Sequence, residues 1–152
     1  MLVKDIMTTS VKTATPDTLV RDVAVIMCFQ KISGVPVVDQ DNNIVGMISE
    51  KDILWGMFPD LQDVMTDAGF VDMEKLEHDY HDVLGQKVSR LMTTRVYTVE
   101  PDWPVLKAAS MMFRQRIRRI PVAVDGKLLG IVSVGDVHKA IFQRDLARSP
   151  TN

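Results

Sequence analysis

Residues 46–52 read GMISEKD, and residues 130–136 read GIVSVGD. In each, a glycine opens a short apolar run, a serine closes it, and an aspartate stands three residues beyond the serine. That run ends the longer apolar stretches Ile44–Ile48 and Leu128–Val132, which read as strands. Serine at a helix N-cap with an acid three residues on is a helix start. The seven residues therefore mark a strand-to-helix junction, and the chain contains the junction twice.

Outward from that junction the recurrence takes in a whole unit. Val3 to Leu54 reads VKDIMTTSVKTATPDTLVRDVAVIMCFQKISGVPVVDQDNNIVGMISEKDIL, and Val88 to His138 reads VSRLMTTRVYTVEPDWPVLKAASMMFRQRIRRIPVAVDGKLLGIVSVGDVH. Met7/Met92, Thr8/Thr93, Thr13/Thr98, Pro16/Pro101, Val20/Val105, Met27/Met112, Pro36/Pro121, Gly46/Gly130, Ser49/Ser133 and Asp52/Asp136 stand in register, with a single one-residue gap in the second copy's turn. Two copies of one small unit account for this.

Each copy predicts the same elements. A polar lead with Met-Thr-Thr comes first, then an extended piece at Val11–Thr13 or Val96–Val99. A helix follows, with Asp17 or Thr18 as its cap in the first copy. In the second, Asp102 is the cap and Pro104 falls in the first turn. Val20, Val23, Ala24 and Met27, and again Val105, Ala108, Ala109 and Met112, have the spacing of one buried helix face. Strands are expected at Val35–Val38 and Ile120–Val124, turning through residues 39–43 and Asp125-Gly126 into Ile44–Ile48 and Leu128–Val132. Last helices open at Ser49 and Ser133.

The unit is β-α-β-β-α and, at about fifty residues, marginal alone. The expected fold class is α+β: two such repeats packed sheet to sheet with pseudo-twofold symmetry, plus a helical linker. The expected divisions are 1–56 for the first repeat, 57–87 for an acidic helical linker, 88–146 for the second repeat and 147–152 for a flexible tail. Phe70, Met73, Leu76, Tyr80 and Val83/Leu84 predict an amphipathic helix from Asp72 to Leu84 with an acidic, solvent-exposed face. Glu74/His78 and Glu77/His81 are spaced to share a helix face, but no cysteine and no HExxH arrangement supports a metal, and none is expected.

Composition sets outer bounds. The chain has 152 residues, 46 % hydrophobic and 25 % charged, with a net charge of -2. That balance is globular and gives no reason to expect a nucleic-acid partner. No apolar run approaches the roughly 20 residues that span a bilayer, and Met1–Thr9 lacks the apolar stretch of a signal peptide. Cys28 is the single cysteine, so a cytoplasmic protein without an internal disulfide is expected. Cys28 reads as a structural residue of its helix. Met27, Met111 and Met112 read as packing, and Met7 and Met92 as contacts between modules. With three histidines, no nucleophile elbow and no P-loop, no enzyme is expected.

The paired segments VKDIMTT/VSRLMTT, KTATPD/YTVEPD, SGVPVVD/RRIPVAVD and GMISEKD/GIVSVGD resemble the CBS domain pair, or Bateman module, over nearly the whole chain except the segment between the copies. The resemblance implies a regulatory module that binds an adenine nucleotide (AMP, ADP, ATP or S-adenosylmethionine) in the cleft between the repeats and signals to a partner protein by a conformational shift. The nucleotide would be a regulatory ligand, with no cofactor, and the module a homodimer of CBS pairs. It also implies that Asp52 and Asp136 hold ribose hydroxyls and that Ser49 and Ser133 contact phosphate. Thr13 and Thr98 would line the adenine pocket with the strands at Val35, Pro36, Ile120 and Pro121. Arg118 and Arg119 would meet phosphates, and the first copy departs there, with Ser33 and Gly34. Strand alternation turns Arg118 and Arg119 opposite ways, and Arg119 is the one assigned to the cleft. A Ser-x-x-Asp junction suits a nucleotide, because a helix N-terminus favours phosphate and a carboxylate can accept from two neighbouring hydroxyls. The same four residues are also a capping box that needs no ligand. The competing reading is a ligand-free dimerisation scaffold acting through the linker helix.

Overall fold

The computed structural model describes residues 1–56 and 73–149. In chain order its elements are α1 (Val3–Ile6), α2 (Val20–Gln30), β1 (Gly34–Val38), β2 (Ile44–Ser49), α3 (Glu50–Trp55), α4 (Met73–Leu84), a 3-10 turn (Val88–Arg90), α5 (Val105–Gln115), β3 (Arg119–Val124), β4 (Lys127–Ser133) and α6 (Val134–Arg148). No described helix is long and apolar enough to cross a membrane. The chain forms two compact units. One is continuous, Lys12–Val96, and the other is discontinuous, joining Met1–Val11 to Tyr97–Asn152.

The apolar stripes fold as their spacing dictates. In α2, Val20, Val23 and Met27 are buried, and in α5, Val105, Ala108, Ala109 and Met112 are buried. Each helix covers an antiparallel hairpin, β1–β2 or β3–β4. The continuous core gathers Val23, Met27, Val35, Val37 and Ile48. The discontinuous one gathers Ala108, Met112, Ile120, Val122 and Val132. The β3–β4 turn has Asp125 at φ 51° and Gly126 at φ 79°, the two left-handed residues that a tight hairpin turn requires.

The helix starts differ from expectation. Leu19 and Pro104 occupy the N-caps of α2 and α5, with no side-chain cap. Thr18 Oγ1 instead accepts from Thr15 N at 2.9 Å. Asp17 pairs with Lys87 at 3.1 Å, and Asp102 with Lys4 at 2.7 Å. Backbone carbonyls take over part of the cap's role: Val20 N donates to Gln86 O at 2.9 Å, and Val105 N to Met1 O at 3.1 Å. The hydrogen bond to Asp102, and then its charge, raise the exposed Lys4 ammonium above its ordinary pKa.

Both α2 and α5 end on a left-handed residue with a Cβ, Lys31 at φ 53° and Arg116 at φ 55°. That conformation costs an L-residue roughly 1–2 kcal/mol, which glycine avoids at some expense in chain entropy. Lys31→Gly is therefore expected to stabilise the continuous unit by about 0.5–1 kcal/mol, read from the urea midpoint; a lower midpoint would contradict it.

The leads are exchanged. Thr8, in the lead of the first repeat, bonds to β4 of the second: Thr8 N donates to Ile131 O and Ile131 N to Thr8 O, both at 2.9 Å. Thr93, in the lead of the second repeat, bonds to β2 of the first through Met47, at 2.8 and 2.9 Å. Val3 is fully buried in the discontinuous core and Val88 in the continuous one. The compact units thus cut across the sequence repeats. Met7 packs against the discontinuous core and Met92 against the continuous one, each partly buried.

Two further expectations change. Cys28 is exposed on α2 rather than structural. The last helix runs to Arg148, into the stretch expected as a flexible tail, and residues 150–152 of that tail lie outside the described residues. The helix expected from Asp72 to Leu84 is present as α4, and Val83 buries itself in the continuous core with Tyr80 and Leu84 packed against it. The linker helix is thus part of that unit. Phe70 and the linker acids Asp60, Asp63, Asp67 and Asp72 lie outside the described residues.

Candidate functional site

The strand-to-helix junctions are capping boxes in both units. In the discontinuous unit Ser133 N donates to Asp136 Oδ2 at 2.9 Å and Asp136 N donates to Ser133 Oγ at 3.0 Å. In the continuous unit the same bonds are 2.9 Å and 3.2 Å, between Ser49 and Asp52. The ligand-free reading of the motif is thus realised in full. Each cap uses one carboxylate oxygen. Oδ1 of Asp52 and of Asp136 accepts no hydrogen bond among the described residues, and both side chains are half-buried.

Sheet register assembles the remaining candidates around each junction. Arg119 stands directly opposite Ser133, and Val134 N donates to Arg118 O at 2.9 Å. Val99, one residue past Thr98, lies parallel to β3, with Val99 N donating to Pro121 O at 3.0 Å and Ala123 N to Val99 O at 2.9 Å. Thr98, Arg118, Arg119, Ser133 and Asp136 therefore belong to one unit and sit beside the same strand pair.

The continuous unit repeats the arrangement. Gly34 stands opposite Ser49, Glu50 N donates to Ser33 O at 2.9 Å, and Ala14 N donates to Pro36 O at 3.0 Å. Thr13, Ser49 and Asp52 are its equivalents. Thr13, Thr98 and Arg118 are exposed and Arg119 is half-buried.

Not every candidate is equally available. Val35 and Ile120 are fully buried in the two cores, and Pro36 and Pro121 are buried as well. Their side chains hold the sheets in place, so these four can meet a ligand only through backbone. His78 and His81 are not near either junction in sequence; His78 Nε2 faces Asp82 at 3.6 Å on the exposed side of α4. No group of three or more potential metal ligands occurs among the described residues.

The two buried glycines of the junction motifs mark a close approach of backbone. A Cβ at Gly130 would lie 2.7 Å from Thr8 O, and one at Gly46 would lie 3.0 Å from Thr93 O. These glycines admit the exchanged leads to the sheet edge. The signal was the glycine pair itself, whose reason lies in a segment far away in sequence.

The sequence matches the CBS domain family twice, at residues 3–57 and 88–143. The chain belongs to the CBS domain family. The CBS pair here is 32 % identical to an uncharacterised protein of Methanocaldococcus jannaschii, over 93 % of this chain and 92 % of that one. It superposes on the crystal structure of CBSX2 in complex with AMP at a TM-score of 0.74 and 28 % identity, covering 95 % of this chain and 98 % of that one. It superposes equally widely, at a TM-score of 0.72 and 25 % identity, on the CBS domain pair of protein MJ0100 in complex with 5′-methylthioadenosine and S-adenosyl-L-methionine. Tandem CBS repeats and a mixed helix-and-strand fold with two small antiparallel sheets are therefore established for this chain.

Proposed function

We propose that the chain is a regulatory ligand-sensing module that binds an adenine nucleotide (AMP, ADP, ATP or S-adenosylmethionine) and passes the signal to a partner protein by a conformational shift. It acts as a cytoplasmic homodimer and catalyses nothing. The observation that carries this reading is the open Oδ1 of Asp52 and Asp136, each on a half-buried carboxylate already oriented by its cap. A carboxylate so oriented loses little entropy on accepting a ribose hydroxyl. CBS pairs solved with AMP and with S-adenosyl-L-methionine support the ligand class. Ligand acts by favouring one of two pre-existing arrangements, so its effect is bounded by its differential affinity for them.

Isothermal titration with AMP, ADP, ATP and S-adenosylmethionine tests the reading. Saturation by at least one is expected, with affinity reduced about tenfold or more in Asp136→Ala or Asp52→Ala. Each substitution also removes half of a capping box and is expected to cost about 1 kcal/mol of stability. Loss of stability with unchanged affinity would reduce the motif to a cap.

The second reading, a ligand-free dimerisation scaffold acting through the linker helix, has its own observations: the completed caps, and Leu106, Phe113, Phe142 and Leu146 exposed on α5 and α6 of one unit. Four heats indistinguishable from dilution, on a chain that sediments as a dimer, would establish it.

A further inference from the structure

Aligned residue by residue, the two junctions carry different charge. Residues 116–119 and 133–136 of the discontinuous junction hold Arg116, Arg118 and Arg119 against one carboxylate, Asp136, a net charge of +2. The same eight positions of the continuous junction hold Lys31 and Lys51 against Glu50 and Asp52, a net charge of zero. Where Ser133 is followed by Val134 and Gly135, Ser49 is followed by the exposed acid Glu50.

The hydroxyls differ as well. Ser49 Oγ donates to Asp52 Oδ2 at 3.0 Å while accepting from Asp52 N. Ser133 Oγ accepts from Asp136 N and makes no such bond to the carboxylate. Among the described residues the Ser133 hydroxyl donates to no acceptor, whereas that of Ser49 donates to Asp52. Among the described residues no carboxylate pairs with Arg118 or Arg119. A half-buried planar guanidinium without a counter-ion among the described residues, such as Arg119, favours an anion that offers two neighbouring oxygens. A phosphate brought to Ser49 would find the acid Glu50 next in the chain and Ser33 and Gly34 where the other junction has its arginines, so that Lys31 and Lys51 are offset by Glu50 and Asp52.

We infer that the two junctions select different ligand charges: the Ser133–Asp136 site takes the phosphate-bearing adenosine ligand, and the Ser49–Asp52 site takes an adenosine derivative without phosphate. This rests on the adenine-binding reading above and adds which class each site takes. Gly34 supplies a converse. A Cβ there meets only Ile48 O at 3.7 Å and Met47 Cε at 3.8 Å, ordinary contacts, so an arginine fits at the position equivalent to Arg119.

The test titrates the full chain with AMP and with 5′-methylthioadenosine, which share the base and ribose and differ in charge. The expected wild-type result is one AMP per chain. The double substitution Arg118→Ser with Arg119→Gly, which copies the continuous junction, is expected to weaken AMP about 10- to 100-fold, the loss of charge-assisted hydrogen bonds. Binding of 5′-methylthioadenosine is expected to survive in that variant, which also reports that it is folded, and to be lost in Asp52→Ala. Gly34→Arg is expected to add a second AMP. Two equivalent AMP molecules per wild-type chain, or unchanged AMP affinity in the double variant, would overturn the charge assignment alone. If neither compound saturates the wild-type chain, the adenine reading fails and the assignment with it.

Discussion

A chain that begins at Lys12 is expected to lose the fold of the discontinuous unit and keep that of the continuous one. The continuous unit contains everything it needs within Lys12–Val96, including its sheet-edge residue Thr93 and its buried Val88. The other unit takes those same parts from residues 1–11. Removing them takes away fully buried Val3, half-buried Ile6 and Met7, both hydrogen bonds of Thr8, and the Lys4 partner of Asp102. Burial of Val3 alone contributes roughly 1.5–3 kcal/mol, and with Ile6 and Met7 the total reaches about 4–6 kcal/mol. That is comparable to the whole stability of a small domain. Hydrogen exchange reads the outcome site by site: amides of β3, β4 and α5 are expected to lose protection while those of β1, β2 and α2 retain it. A peptide of residues 1–11 added in trans is expected to restore some of it. Retained protection across residues 119–133 in the truncated chain would mean that the lead is ornamental.

Gly130→Ala is expected to destabilise the discontinuous unit by about 1–3 kcal/mol, the range for a side chain forced into filled space. The added carbon would sit 2.7 Å from Thr8 O and 2.9 Å from Met7 Sδ. The sulfur ends a flexible side chain and can move. The oxygen belongs to backbone bonded into the sheet, so relief there means breaking the Thr8–Ile131 bridge. Gly135→Ala is the control. Only Ser133 Oγ lies near its added carbon, at 3.6 Å, and the site is in the first turn of α6, so a gain of about 0.5–1 kcal/mol is expected. Urea unfolding of both variants separates the cases; a Gly130→Ala protein as stable as the parent would remove the steric account of the close approach between lead and hairpin.

Both predictions turn on the leads, which is also where sequence and structure part. The stripes Val20/Val23/Met27 and Val105/Ala108/Ala109/Met112 were legible because helical periodicity is a local property. The hairpins were legible from apolar runs around Asp125-Gly126 and the Asp/Asn-rich turn, since strand and turn chemistry is local too. The capping boxes could be read for the same reason: Ser49/Asp52 and Ser133/Asp136 are three residues apart. The N-caps of α2 and α5 were missed because their first N–H groups are met by Gln86 O and Met1 O, which are distant in sequence. Cys28 was missed because burial depends on which side of α2 is covered at its exposed end, and the stripe sets that only to within a residue.

What the sequence by itself determined is the duplicated β-α-β-β-α unit, its family, and the residues grouped at each junction. Pairing of leads with hairpins was decided only in three dimensions. Val3/Val88, Met7/Met92 and Thr8/Thr93 are the same residue at each position, and Gly46 and Gly130 leave the same space. At these matched positions the two leads carry the same side chains, so their local chemistry does not choose between the hairpins. The choice is made by what the chain can reach and by the contacts each segment makes once both cores have closed.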